Sequence, residues 1–350
     1  MISSSYRHFM LLATTCLIAA SVLQAQDHAV PSESGTLVVT NMSDNTATIL
    51  DIGSREVLAT LTTGEGPHEV ATSSDGRWAV VTNYGVRGAP GNSLAVIDLE
   101  SVAVVRTIGL GDYQRPHGIA FLPGDSLLVV TSEVRQVVVV VDFRTGAIVT
   151  DISTDYPASH MLALVPSGER AYTTNVRDGN ITEINPRTGE TLRTIDVARF
   201  VEGIAVTPNG GAVWVGSNGD SLVAVIDVES GVVTDTIRGF GMPYRLAVSA
   251  SGEFVVVSDP VKGQVQIFDV ATRELLHLLE IPAVGILESA EIPGSPAPEG
   301  VTISRDSRWA YVTLQGRNQV AAIDLESGTI TGYMETGAWP DGIAFSQLTR

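Results

Sequence analysis

Short apolar runs recur along the whole chain, and clusters of Gly, Asp, Asn and Ser separate them. The runs span about 4–8 residues and are rich in Val, Ile and Thr, which is typical of β-strands. No long segment repeats its apolar residues with the 3.6-residue period of an amphipathic helix. Many runs are apolar at successive positions, as expected for sheets that are covered on both faces. The pattern therefore predicts an all-β protein.

Three sequence motifs recur in the same order. Clear copies read VVTN at residues 80–83, AVID at residues 95–98 and PHGIAF at residues 116–121. A repeat of roughly 40–50 residues with several short strands per unit is the signature of a β-propeller. Features that recur in every copy are expected to be architectural, whereas a position that differs between copies is a candidate for function.

The number of copies predicts the number of blades. The VTN-type runs end at Asn41, Asn83, Ser132, Asn175, Ser217, Asp259 and Leu314. The GIA-type runs begin at His68, His117, His160, Glu202, Tyr244, Glu299 and Asp341. The chain starts on a VTN-type run and ends on a GIA-type run, so the last strand is expected to pair with the strands in residues 36–61 and close the ring. We predict a seven-bladed β-propeller of four-stranded blades over residues 35–350.

These motifs carry a resemblance to a known family. The VVTN, AVID and PHGIAF pattern resembles the YVTN-repeat β-propellers, within the lactonase-like and cytochrome-d1-like propeller superfamily. The resemblance covers nearly all of the predicted propeller and implies a seven-bladed fold. The family is functionally mixed, because propellers serve both as binding scaffolds and as enzymes, so function has to be argued from a site.

The first residues have the pattern of a secretory signal. Arg7 provides a short positive region, residues 9–23 are apolar, and residues 23–25 offer a small-residue cleavage site. A retained membrane anchor is the alternative, but the apolar run is short for a spanning helix of about 20 residues. We predict a signal peptide at residues 1–25, a linker at residues 26–34, and a periplasmic or secreted protein. Removing the signal would remove Cys16, the only cysteine, so the fold must be stable without disulfides.

The formal net charge of −18 opposes binding to nucleic acid or to an anionic membrane surface. Much of this charge has a structural explanation, because an aspartate follows most VID-type runs, where its carboxylate is expected to cap a turn. Repeated calcium loops are the alternative, but the acids do not cluster. A closed ring leaves no edge strand free to pair, so a monomer is expected. The turn-capping aspartates are Asp51, Asp98, Asp142, Asp227, Asp269 and Asp324.

The position at the start of the GIA-type runs holds the candidate chemistry. Three successive copies have histidine there, at His68, His117 and His160, and the other copies have three acids and a tyrosine. Three imidazoles with an open position are typical of a catalytic metal site. We predict that these histidines bind one divalent transition metal (Zn, Cu, Fe or Mn) at the channel mouth. A polar pocket without metal, and a channel mouth that is merely hydrated, remain the alternatives.

Other residues are candidates because they occupy this position in other copies or lie near it in the sequence. Glu202 and Glu299 are candidate general bases. Arg115 and Arg245 are expected either to hold a ligand anion or to bridge to the acids of the ring. The predicted ligand-binding residues are Tyr113, Arg115, Tyr156, Tyr244, Arg245, Trp339 and Asp341.

Two functions from different classes follow. The first is an exported propeller that binds a small molecule or a partner protein at the rim of the channel, where insertions at residues 85–92 and 280–298 are also expected. The second is a metal-dependent hydrolase or lyase, for which the lactonase-like resemblance implies a lactone or a related small organic acid. The chain has no nucleophile elbow, no paired CxxC motif and no HExxH motif that would decide between them.

Overall fold

The computed structural model describes residues 34–349. The predicted signal peptide lies outside the described residues, as does the predicted linker up to residue 33. The described chain is all-β, with twenty-eight strands in seven four-stranded antiparallel sheets. Its one helical element is a 3-10 turn at Gln315–Arg317, and no helix in residues 34–349 is long and apolar enough to cross a membrane. The predicted seven-bladed β-propeller is confirmed.

The strands follow the repeat along the chain. The first three strands are β1 (Thr36–Asn41), β2 (Thr46–Asp51) and β3 (Val57–Thr62). Blades 2 to 4 contain β4 (Pro67–Thr72), β5 (Trp78–Val86), β6 (Ala89–Asp98), β7 (Ala103–Gly109), β8 (Pro116–Phe121), β9 (Leu127–Ser132), β10 (Val137–Asp142), β11 (Ile148–Ser153), β12 (Ser159–Leu164), β13 (Ala171–Asn175), β14 (Asn180–Asn185) and β15 (Glu190–Asp196). Blades 5 to 7 contain β16 (Val201–Val206), β17 (Ala212–Ser217), β18 (Leu222–Asp227), β19 (Val233–Arg238), β20 (Leu246–Val248), β21 (Phe254–Asp259), β22 (Gln264–Asp269), β23 (Leu275–Glu280), β24 (Pro298–Ile303), β25 (Trp309–Leu314), β26 (Gln319–Asp324) and β27 (Thr329–Glu335). The last strand is β28 (Pro340–Ser346).

The two ends of the described chain share blade 1. Strand β28 pairs antiparallel with β1, and the order of this sheet is β28-β1-β2-β3. The register places Val38 opposite Ala344 and Val39 opposite Ile343. The predicted ring closure is therefore confirmed, and the edge of β1 that would otherwise be free is paired.

The core lies between neighbouring blades. Leu37 and Val39 of blade 1, for example, are buried in one apolar cluster with Trp309 and Tyr311 of blade 7. Because the middle strands of each blade are covered on both faces, their residues are buried at successive positions instead of alternating.

The aspartates after the VID-type strands cap turns. The Asp142 carboxylate accepts a hydrogen bond from the Thr145 backbone N–H at 2.7 Å, and this bond lowers the pKa of the aspartate. Asp227 accepts the equivalent bond from Ser230 at 2.8 Å. The same arrangement recurs at Asp51, Asp98, Asp269 and Asp324. Turn capping is thus the role of these acids.

The two insertions differ in structure. Residues 85–92 extend the β5–β6 hairpin beyond the VTN-type run. Residues 281–297 contain no strand and are held by side-chain and backbone bonds, including Trp339 Nε1–H to the Ser289 carbonyl at 2.9 Å. Both insertions lie on the side of the ring where the innermost strands begin, next to the residues described below.

Candidate functional site

The innermost strand of each blade lines the central channel, and six of these seven strands present their second residue at one end of it. In each of the six, pairing with the neighbouring strand is interrupted around this residue. A β-bulge of this kind redirects a side chain out of the regular alternation. The second residues are His68, His117, His160, Glu202, Glu299 and Asp341.

The glycine in the PHGIAF-type motif allows neighbouring innermost strands to approach closely. A Cβ atom on Gly118 would lie 2.6 Å from the His160 carbonyl oxygen, and one on Gly300 would lie 2.1 Å from the Asp341 carbonyl oxygen. These distances are too short for any side chain, so only glycine fits. The glycines therefore bring four of these innermost strands against the next one around the ring, whereas β4 and β12 have Glu69 and Met161 at this position.

The threonine of the VTN-type motif holds the same backbone from the other side. Thr40 donates its hydroxyl to the His68 carbonyl at 2.6 Å, and Thr313 donates to the Asp341 carbonyl at 2.9 Å. Equivalent bonds join Thr131 to His160, Thr174 to Glu202 and Ser258 to Glu299. In each of these five cases the donor belongs to the preceding blade, so the repeat positions the residue by a contact across a blade boundary.

The three histidines lie together. The ring centroids of His68 and His117 are 5.1 Å apart, and those of His117 and His160 are 3.6 Å apart. Equal position in three successive repeats thus corresponds to a contiguous cluster in space.

His160 differs from the other two because carboxylates face both of its ring nitrogens. Its Nδ1 lies 2.5 Å from Glu133 Oε1, and its Nε2 lies 2.6 Å from Glu202 Oε1. Burial would lower the pKa of His160, but Glu202 and Glu133 outweigh it and raise the pKa to about 10. Burial would likewise raise the pKa of Glu202, yet His160 and Arg245 hold it at about 2. His160 and Glu202 therefore form a charged pair at neutral pH.

His68 and His117 are held in the neutral form. Burial lowers the pKa of His68 to about 4 and that of His117 well below its ordinary value. The Nδ1 atom of His68 lies 2.9 Å from the Gly66 carbonyl oxygen, which fixes the ring. The Nδ1 atom of His117 is buried and has no hydrogen-bond partner among the described residues. A neutral imidazole is the form that binds metals.

Two acids complete this side of the channel mouth. Burial raises the pKa of Asp341 to about 6, and burial together with the Asp341 charge raises the pKa of Glu299 well above its usual range. Asp341 Oδ1 and Glu299 Oε2 are buried and accept no hydrogen bond from the described residues. Each of His68, His117 and Asp341 has a potential ligand atom within 4.8 Å of those of the other two.

Arg245 is committed to the acids of the ring. Its side chain is 4% exposed, its Nε donates to Glu69 Oε1 at 3.0 Å, and its Nη1 donates to Glu202 Oε1 at 3.2 Å. The guanidinium also lies 4.2 Å from the ring centroid of Tyr244. These contacts are the bridging ones expected for this arginine, and its role towards a ligand stays a prediction.

The remaining predicted ligand-binding residues have other partners, and their role towards a ligand stays a prediction. Tyr113 donates its hydroxyl to Asp151 on β11, the outermost strand of blade 3. Trp339 reaches the insertion at Ser289, and Tyr156 is half-buried in the loop before β12. Arg115 lies 4.6 Å from the ring centroid of Tyr84 at the rim.

Three contributors were not predicted from the sequence. Tyr84 stacks on His68 with 4.3 Å between ring centroids, and its hydroxyl donates to Glu133 Oε2 at 2.6 Å. Glu133 and Glu69 supply the partners of His160 and Arg245. Each of these three residues directly follows a position singled out in the repeat, which is the signal that could have identified them.

Comparisons with known proteins agree with this fold. The model of the choice-of-anchor I domain matches residues 293–341. Antigen Lp49 of Leptospira interrogans is 20% identical over 279 residues, which cover 73% of this chain and 58% of that protein. A seven-bladed beta-propeller protein of Mycobacterium tuberculosis is 23% identical over 170 residues, which cover 47% of this chain and 40% of that protein. The chain thus spans roughly half the length of these curated relatives.

Solved structures resemble the chain over most of its length. A functionally unknown protein from Desulfotomaculum acetoxidans gives a TM-score of 0.74 at 15% identity and covers 89% of this chain and 99% of its own. The hydrazine synthase of Kuenenia stuttgartiensis gives 0.66 at 17% identity, with 92% and 99% covered. The chain is a seven-bladed β-propeller. These likenesses establish the architecture, whereas the YVTN-repeat and lactonase-like assignment stays a prediction.

The charged pair predicts how stability depends on pH in metal-free protein. His160 has a folded pKa of about 10 against an ordinary 6.5, so its contribution is complete below pH 6.5 and is lost as the pH rises towards 10. Glu202 has a folded pKa of about 2 against 4.5, so its contribution is complete above pH 4.5 and is lost as the pH falls towards 2. The free-energy difference between wild type and His160→Gln should therefore peak between pH 4.5 and 6.5. Urea unfolding with a chelator present measures it, and a difference that does not change with pH would contradict the charged pair.

Proposed function

We propose that this protein binds one divalent transition metal at the mouth of its channel and presents it to a small molecule that arrives from the rim. The observation that carries the proposal is the convergence of His68, His117 and Asp341, whose potential ligand atoms lie within 4.8 Å of one another. His117 Nδ1 and Asp341 Oδ1 support it, because both are buried without a hydrogen bond from the described residues, and Asp341 Oδ1 has only a distant contact with Arg245 Nη2 at 4.0 Å.

The three candidate ligand side chains are of the types found in catalytic metal sites. Two neutral imidazoles and one carboxylate occur in catalytic zinc sites and in non-haem iron sites, and both leave coordination positions open. Tyr84 stacks on His68, and a contact of this kind helps to keep the orientation of a metal-binding side chain. The donor set is compatible with Zn, Fe and Mn and does not select one of them.

The three-histidine ligand set remains a competing proposal. In the present geometry both ring nitrogens of His160 face carboxylates, at 2.5 and 2.6 Å, although Nε2 makes no hydrogen bond with the described residues. Asp341 is available as the third ligand, so we favour the set with two histidines and one carboxylate. His160 then acts as a neighbour that orders Glu133 and Glu202.

Elemental analysis of purified protein tests the site. Wild type should hold about one equivalent of metal, and His117→Ala and Asp341→Asn should weaken binding more than about 100-fold, since loss of an outer partner alone costs 10–100-fold. His160→Gln should keep its metal if Asp341 is the third ligand, and lose it if His160 is.

The matched control is His277→Ala, because His277 lies on β23, where its Nε2 contacts the Glu326 carbonyl. Metal content that is low in wild type and equal in all four variants would reject the metal site.

A second candidate function is metal-dependent hydrolysis or elimination at the same site. Glu299 favours it, because its raised pKa and its unpartnered Oε2 suit a group that exchanges a proton with a bound molecule. Glu202 is less suited, because His160 and Arg245 hold it ionised. A bound metal would polarise a carbonyl or activate water. The lactonase-like resemblance makes lactones the first substrates to examine.

A panel of lactones and esters tests this function with metal-loaded protein. We expect Glu299→Gln to lower kcat by about 10²–10⁴-fold, which is the usual contribution of general acid–base catalysis. Glu253→Gln, which removes a carboxylate from the opposite end of blade 6, should keep full activity. No turnover by wild type with full metal occupancy would reject the hydrolase and leave the binding function.

We also propose that the protein acts outside the cytoplasm. Support comes from the signal-like residues 1–25 and from the likeness to a leptospiral protein whose name is that of an antigen. Mass spectrometry of protein from the periplasm or medium should find an N-terminus at Gln26. Full-length protein confined to the cytoplasm would contradict export.

A further inference from the structure

We infer that Arg115 binds a carboxylate group on the small molecule that reaches the metal, so that the site selects ligands carrying a carboxylate away from their metal-binding atom. This inference rests on the proposed metal site and names the class of ligand that the site accepts. Arg115 lies immediately before β8, the strand that carries His117, and so at the same end of the channel as the histidines.

The repeat distinguishes Arg115 by its charge. The residue two positions before the start of each GIA-type run has a left-handed backbone in six of the seven copies, with a φ of 53° at Arg115. This conformation is therefore part of the architecture, and the side chain is what differs between copies. Arg115 is the only charged residue at this position, because the other copies have Gly66, Ala158, Phe200, Pro243, Ala297 and Trp339.

The hairpin insertion at residues 85–92 holds Arg115 in place. The backbone N–H of Arg115 donates to the Gly91 carbonyl at 2.8 Å, and its Nη2 donates to the Val86 carbonyl at 3.3 Å. Its guanidinium carbon lies 4.6 Å from the ring centroid of Tyr84, which belongs to the same hairpin. The insertion thus keeps a cation at the rim of the channel.

This cation is close to the proposed metal ligands. The ring centroid of Tyr84 lies 4.3 Å from that of His68 and 5.5 Å from that of His117. Arg115 and the two histidines therefore surround one aromatic side chain. A molecule bound to the metal needs only a short side chain to reach the guanidinium.

No carboxylate among residues 34–349 forms an ion pair with Arg115. Arg245, the other arginine expected to hold a ligand anion, is ion-paired with Glu69 and Glu202. The planar guanidinium presents its N–H donors in a fork that matches the two oxygens of a carboxylate. One guanidinium balances the single charge of a carboxylate, whereas a phosphate group carries up to two charges.

The test uses protein loaded with Co(II), whose visible absorption reports ligands that join the metal. Imidazole-4-acetate, imidazole-4-propionate and imidazole-4-butyrate are titrated beside their neutral amides, so that each pair shares the metal-binding ring and differs in the carboxylate. We expect wild type to bind the best-fitting acid at least about tenfold more tightly than its amide, as is typical of a hydrogen bond between charged groups. Arg115→Gln should lower this preference about tenfold, because it removes the charge, and should leave the affinity for imidazole itself unchanged.

Arg187→Gln is the matched control. Arg187 also donates to a backbone carbonyl, that of Pro123 at 3.4 Å, but Pro123 follows the end of β8 and so lies at the opposite end of the channel. This variant should keep the preference of wild type.

Equal or tighter binding of the amides by wild type would overturn the inference while leaving the metal site intact, and this comparison stands even if a variant fails to fold. A preference that persists in folded Arg115→Gln would assign the carboxylate to the metal or to Arg245, and would also overturn the inference. Absence of bound Co(II) in wild type would overturn the metal site and the inference together.

Discussion

The pairing of β28 with β1 is the constraint on which the rest of the structure depends. It completes blade 1 with strands from both ends of the described chain and fixes the ring at seven blades. It also assembles the channel mouth, because Asp341 comes from β28 and His68 from β4, the first strand of blade 2. The candidate ligand set therefore exists only when the ring is closed, and binding of a metal would in turn stabilise the closed ring.

The channel mouth divides into two halves with different electrostatics. In one half, His160, Glu202 and Arg245 neutralise one another through short contacts, and the pairs join blades 4, 5 and 6. In the other half, His68 and His117 are neutral, and Asp341 and Glu299 resist ionisation. The first half is held by ion pairs, whereas the second half contains buried acids whose Oε2 and Oδ1 atoms accept no hydrogen bond from the described residues.

Much of the fold was predictable because the same strand motifs recur in every blade. The counts of VTN-type and GIA-type runs gave the number of blades, and the position of Phe345 at the end of the series gave the closure. The role of Asp142 and its equivalents followed from turn chemistry, which depends only on local sequence. The clustering of the three histidines followed from their equal position in successive repeats.

The pairing of charges within the cluster was not predictable in the same way. Whether His160 meets Glu133 or a metal depends on side-chain directions across blade boundaries, which a repeat does not specify. Tyr84 on β5 and Glu133 in the turn after β9 directly follow VTN-type runs, but the residue at that position varies between copies, so the repeat indicated their location and not their partners. Tyr113 shows the same limit, because its proximity to His117 along the sequence did not indicate that its hydroxyl contacts Asp151 on β11.

The way each channel-mouth residue is held has a consequence for how such a protein changes over time. Thr40 and Gly342, and their equivalents in other blades, grip backbone atoms and leave the side chain at the second position of the strand free to differ. The side chain at the second position of each innermost strand can therefore change while the backbone around it stays the same. One substitution there replaces an imidazole by a carboxylate without a change in the strand. A single substitution in one blade can thus change the ligand specificity of the channel mouth. The other six blades keep the geometry of the site unchanged.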